Sequence, residues 1–173
     1  MALFLMFVFK EVDPFLTSSV SRIGRRAAMK RCFLNMLALS AVFTFIYVLV
    51  QLVGVSVFVD MDILISKHFY QNMIFYYIAV FIIFSFGGVC YLLFYVITRL
   101  KIVSLLMAVA VNLYMVNYLK IDNLYFGLTV IDTMSLGGSV QAVIWFLKRV
   151  RDIAITTGIY MLADVVYEKR DIV

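Results

Sequence analysis

Residues 33–59 contain no charged side chain, and no other feature constrains this chain as much. A helix that crosses the hydrocarbon core of a bilayer needs about 20 predominantly apolar residues. The run is longer than that, which predicts a tilted helix or one that continues past the bilayer. Three more apolar runs follow, at about 73–97, 102–119 and 124–147. Short polar stretches separate them: Asp60, Asp62, Lys67, His68, Gln71 and Asn72 after the first, Arg99 and Lys101 after the second, and Lys120, Asp122 and Asn123 after the third. Lipid offers the backbone no hydrogen-bonding partner, so each run is expected to satisfy its own donors and acceptors as an α-helix. The alternating ten-residue pattern of a membrane barrel is not seen in the sequence.

Composition agrees. The chain is 65% hydrophobic and 14% charged, against roughly 45–50% and about 25% in soluble domains. The predicted fold is an all-α integral membrane protein: a four-span transmembrane bundle over 33–147, a basic N-terminal cytoplasmic or interfacial segment over 1–32, and a C-terminal amphipathic helix over 152–167 on the cytoplasmic face.

Topology follows from the basic residues, which favour the cytoplasmic side. With both termini inside, thirteen of the fifteen Lys and Arg residues are cytoplasmic, leaving only Lys67 and Lys120 outside. Lys148, Arg149 and Arg151 are then expected to close the fourth span at the inner boundary. Tyr76, Tyr77, Tyr118 and Tyr125 fall near the outer boundary and Tyr95 and Trp145 near the inner one, as aromatic belts require. The apolar start, Met1 to Phe9, has no basic flank before it and no small-residue cleavage site after it. It reads as an interfacial or partner-packing segment rather than a cleaved signal peptide, and this favours a bacterial inner membrane as the location.

In the last stretch Asp152, Thr156, Thr157, Tyr160 and Asp164 share one side of a helical wheel, and Ile155, Ile159, Leu162 and Val166 the other. This predicts a helix lying apolar side down on the inner leaflet, or docked on a protein.

Several residues are candidates for function. Asp132 lies inside the fourth run, where a carboxylate is costly and usually faces protein or water. Asp132, Ser135 and Ser139 fall on one helical face; Ser104, Ala108 and Asn112 form a matching stripe on the third run. The expectation is an intramembrane contact between Asn112 and Asp132, each roughly 10–12 Å from the outer end of its helix at 1.5 Å per residue. Gly87 and Gly88 put small side chains in the second run, where they let backbones approach closely. Arg22, Arg25, Arg26, Lys30 and Arg31 form the densest basic run, a surface for anionic headgroups or an acidic partner at about 1 kcal/mol per residue. Asp60, Asp62 and His68 match no metal motif, and no CxxC or Cys/His cluster surrounds Cys32 and Cys90.

No catalytic set, cofactor motif or nucleic-acid signature emerges. The expected function is that of a non-catalytic polytopic subunit of a larger envelope complex, such as secretion, conjugation or similar transport machinery. It would act through helix packing and protein–protein contacts, with the bilayer, other membrane subunits or copies of itself as partners. The alternative is a homo-oligomeric channel or small transporter with Asp132 and Asn112 in a polar path. A third reading is a lipid-sensing or membrane-shaping protein.

Overall fold

A computed structural model of the chain describes residues 4, 8, 24–66, 69–118 and 139–169, and all regular structure among them is helical. The elements are α1 (Arg25–Phe58), the short α2 (Met61–Ser66), α3 (Phe69–Thr98), α4 (Lys101–Tyr118) and α5 (Ser139–Lys169). Two of them, α1 and α3, are long and apolar enough to cross a membrane.

Gly24 starts α1 with φ at 85°, a backbone conformation open to glycine without strain. Its carbonyl accepts the Ala28 N–H at 3.1 Å, with no side-chain cap. The expected basic segment thus runs directly into the first helix. Arg26, Lys30 and Arg31 point outward while Ala28, Met29 and Cys32 turn into the core. Cations at a helix N-terminus oppose its dipole, so this charge does not stabilise the helix end on which it stands.

The second expected span becomes the hub. α3 is 67% buried over its most apolar stretch and α1 only 17%. α1, α4 and α5 all pack against α3. A helix that is apolar on every side suits that central place.

Contacts along the helices fix their directions. Met36 lies against Gly88, and the Tyr76 hydroxyl donates to that of Tyr47 at 3.3 Å, so α1 and α3 are antiparallel. Arg26 pairs with Glu168, and Phe33 stacks on Tyr160 with ring centroids 4.1 Å apart, so α5 also opposes α1 and runs parallel to α3. Phe75 meets Trp145 edge-on at 5.3 Å, in keeping with that direction.

A two-residue connection joins α3 to α4. Arg99 takes φ 55° and donates its N–H to the Tyr95 carbonyl at 2.9 Å. The Thr98 hydroxyl receives the Leu100 N–H at 3.3 Å and lies 3.0 Å from the Ser104 hydroxyl. The helix start, this turn and the end of α5 fall at one end of the bundle, which therefore gathers Arg26, Lys30, Arg31, Arg99, Lys101 and Lys169.

Two features differ from the sequence reading. The break expected between 147 and 152 does not exist: α5 continues through Lys148, Arg149 and Arg151. No proline or glycine interrupts residues 139–157, so the backbone has no reason to stop there. Of the N-terminal apolar run, expected at the interface or on a partner, the described residues Phe4 and Val8 are buried within the chain's own bundle. Phe4 is fully buried and meets Phe43 and Phe84 edge-on, at 5.6 and 5.0 Å.

Candidate functional site

The continuous α5 turns its polar stripe inward. Arg149, Asp152, Thr156 and Ala163 are buried, at successive spacings of three, four and seven residues, which keep them on one helical face. Ile153, Met161, Leu162 and Val165 are exposed. Of the two sides expected for 152–167, Asp152 and Thr156 are buried while Thr157 and Leu162 are exposed, and Ile159, Tyr160 and Val166 pack against the core, so the bundle meets residues of both sides.

An ion pair forms the centre of the stripe. Arg149 Nη1 lies 3.2 Å from Asp152 Oδ2, one turn away, with side chains only 4% and 7% exposed. Arg151 donates to the other oxygen of the same carboxylate, from Nη2 at 2.8 Å and Nε at 3.0 Å. One carboxylate therefore holds two guanidiniums. The Arg149 guanidinium carbon also lies 5.5 Å from the Trp145 ring centroid, a cation–π contact. The Phe75–Trp145 contact places Arg149 level with Ala79, ten residues along α3 and so about 15 Å from its start. Lys148, Arg149 and Arg151 are thus well inside the bundle's length, not at the basic end where the charge count put them.

Five other buried polar side chains bond back to their own helices. Ser40 donates to the Met36 carbonyl at 2.9 Å and Thr44 to that of Ser40 at 2.7 Å. Ser104 donates to Leu100 at 2.8 Å, and Thr156 to Asp152 at 2.7 Å. The Asn112 amide donates to the Ala108 carbonyl at 2.8 Å. Such i−4 bonds satisfy a polar side chain in an apolar setting without a second helix.

Of the residues singled out in the sequence, Ser104, Ala108 and Asn112 do share one buried face, and it packs on α3. The expected Asn112–Asp132 contact with the following run falls on residues outside those described; α4 and α5 each pack on α3. Gly87 and Gly88 are both buried, and a Cβ added to Gly88 would approach Met36 Sδ to 2.6 Å. Asp132, Ser135 and Arg22 lie outside the described residues, as do the side chains of Ser139 and Arg25. Arg26 is exposed and binds Glu168, with a second contact from Nη2 to Oε2 at 3.0 Å. That hydrogen bond and the guanidinium charge hold the Glu168 carboxyl below the usual carboxylate range. Lys30 and Arg31 are exposed beside it.

The ion pair on α5 was missed in the sequence. The signal was present as Arg-x-x-Asp followed by Thr156 and Ala163 on the same face, but a topology argument had assigned the cations to a loop. Among the described residues no group of three or more His, Cys, Asp or Glu side chains is placed to hold a metal ion. No protein-family model, no curated protein and no solved structure matches the chain.

Proposed function

We propose that the chain is a four-span, non-catalytic membrane subunit of a larger envelope assembly, with both termini on the cytoplasmic side. The observation that carries this reading is the direction of its polar groups. Ser40, Thr44, Ser104, Thr156 and the Asn112 amide bond back to their own helices, and large apolar side chains dominate the outer surfaces of α1, α4 and α5. Such a bundle offers packing faces rather than a polar path. The meeting of Arg26 with Glu168 supports an even number of crossings, because α1 begins and α5 ends at the same basic end. On this reading α4 and α5 also span. A bacterial inner membrane is the proposed setting.

One motive weakens: the apolar N-terminal run finds a surface inside its own bundle through Phe4, so it does not require a partner.

The test is native mass and composition of the tagged chain, expressed at its natural level and gently solubilised. A large species with reproducible membrane partners supports the proposal. A species containing only this chain refutes it. In that case the Arg149–Asp152 pair favours the second reading, a small transporter or channel, because intramembrane ion pairs often mark charge pathways. Liposome flux with Asp152→Asn would then decide.

A further inference from the structure

Arg26, Lys30 and Arg31 stand in the first two turns of α1, and their circumstances differ. Arg26 is held by Glu168. Lys30 and Arg31 are exposed, and among the described residues neither has a carboxylate within ion-pair distance. The helix supplies no compensation of its own: its first turn holds no acidic residue, and no side chain caps it. The dipole at that end is positive as well. Two outward cations thus stand at a helix end that favours an anion.

What lies beside them on α1 narrows the kind of anion. Residues three and four apart follow one another along one helical face. Leu34 is three residues from Arg31 and four from Lys30, and Ala38, Val42 and Phe45 continue from it at spacings of four, four and three. All four are exposed, Leu34, Val42 and Phe45 at 52%, 55% and 59%. From Leu34 to Phe45 the track is about 16 Å long at 1.5 Å per residue. Half of a hydrocarbon core about 30 Å thick is about 15 Å. Two cations therefore head an apolar track as long as one leaflet is deep. The long stems of Lys30 and Arg31 let their charges reach the headgroup level while their carbons cover apolar surface.

A free phosphate would use the cations alone. An amphiphile with an anionic head uses the cations and the track together. We propose that Lys30 and Arg31 bind the phosphate of an anionic glycerophospholipid whose acyl chains lie along Leu34, Ala38, Val42 and Phe45. This rests on the reading of α1 as a membrane span and adds the chemistry of the lipid it selects.

The test places the full chain in phosphatidylcholine vesicles with a trace of spin-labelled phosphatidylglycerol or spin-labelled phosphatidylcholine. Electron paramagnetic resonance separates motionally restricted lipid at the protein surface from fluid lipid. The restricted population should favour phosphatidylglycerol about threefold or more. Lys30→Gln/Arg31→Gln should abolish that preference. Arg99→Gln/Lys169→Gln removes the same charge from the same end of the bundle, at exposed positions off the track, and should leave most of it. Equal losses in the two double variants overturn the proposal, because the lipid would then respond to the total charge of that end. Competition by glycerophosphate, which has no acyl chains, also overturns it and assigns the cations to a soluble anion. Restricted lipid without a headgroup preference defeats the lipid site alone, and an acidic protein segment becomes the better occupant. If neither labelled lipid is restricted, the chain does not meet lipid and the membrane-span reading itself fails.

Discussion

Arg149 and Asp152 face each other across one turn of α5, 3.2 Å apart and almost wholly withdrawn from the surroundings. Removing one partner of a buried ion pair costs about 3–5 kcal/mol. Asp152→Ala should therefore destabilise the bundle by about 3 kcal/mol or more. The double variant Arg149→Met/Asp152→Leu removes both charges and should recover at least half of that loss. Denaturant unfolding of the detergent-solubilised protein measures both. A double variant no better than the sum of its single changes would show that the two charges do not act as a pair.

The close approach of α1 to α3 at Gly88 gives a second expectation. A methyl there would press on Met36 Sδ and Cγ, at 2.6 and 2.8 Å. The methionine chain is flexible and can yield, so Gly88→Ala should cost only about 1 kcal/mol. Gly88→Leu cannot be accommodated so easily and should cost about 1–3 kcal/mol. Adding Met36→Ala should restore part of the loss in Gly88→Leu while being harmful by itself. Unfolding midpoints of the four proteins are the measurement, and simple additivity would place the contact elsewhere.

These sites show how far the sequence could be read. The first three apolar runs became α1, α3 and α4; α1 begins eight residues earlier than its apolar run, next to Gly24, and the other ends shift by at most four residues. The inward stripe of Ser104, Ala108 and Asn112 was visible because helical spacing reports a shared face. What spacing could not give was the partner of that face, since which helices touch depends on the whole bundle. α5 misled for a different reason. Lys148, Arg149 and Arg151 look like the end of a span when charge is counted along the chain, yet Asp152 neutralises part of that charge in three dimensions. A rule that sums cations does not register a carboxylate one turn away.

The Arg26–Glu168 contact predicts a pH dependence at the basic end. The folded carboxyl of Glu168 is held below its ordinary value of 4.5. A depressed carboxylate contributes stability that is fully present above the unfolded value and is lost as pH falls through the folded one. The contact should thus persist at neutral pH and weaken only in acid below about pH 4.5. Arg26 is exposed and Glu168 partly so, and the effect is therefore small and should be screened by salt. Spin labels at residues 30 and 169 report the separation of the two helix ends. Wild type should separate on acidification, whereas Glu168→Gln should be apart at every pH. An acid response that survives in Glu168→Gln would assign the titration to another group.

The outer face of α1 provides the most direct test of its surroundings. Val42 and Phe58 are both exposed, at 55% and 87%, but Val42 is near the middle of the helix and Phe58 at its end. In water, an exposed valine far from any special feature tolerates substitution to within about 0.5 kcal/mol. In hydrocarbon, an arginine at the centre of a helix costs about 2.5–3.5 kcal/mol on insertion scales, and near the end its long side chain reaches the interface at little cost. Val42→Arg should therefore lower the membrane-inserted yield strongly, and Phe58→Arg should leave it close to wild type. The measurement is the fraction of chain resistant to alkaline carbonate extraction. If Val42→Arg is as well retained as Phe58→Arg, α1 does not meet lipid at its middle. Its apolar face would then have to be covered by protein, which would turn attention from the bilayer to the partners that enclose it.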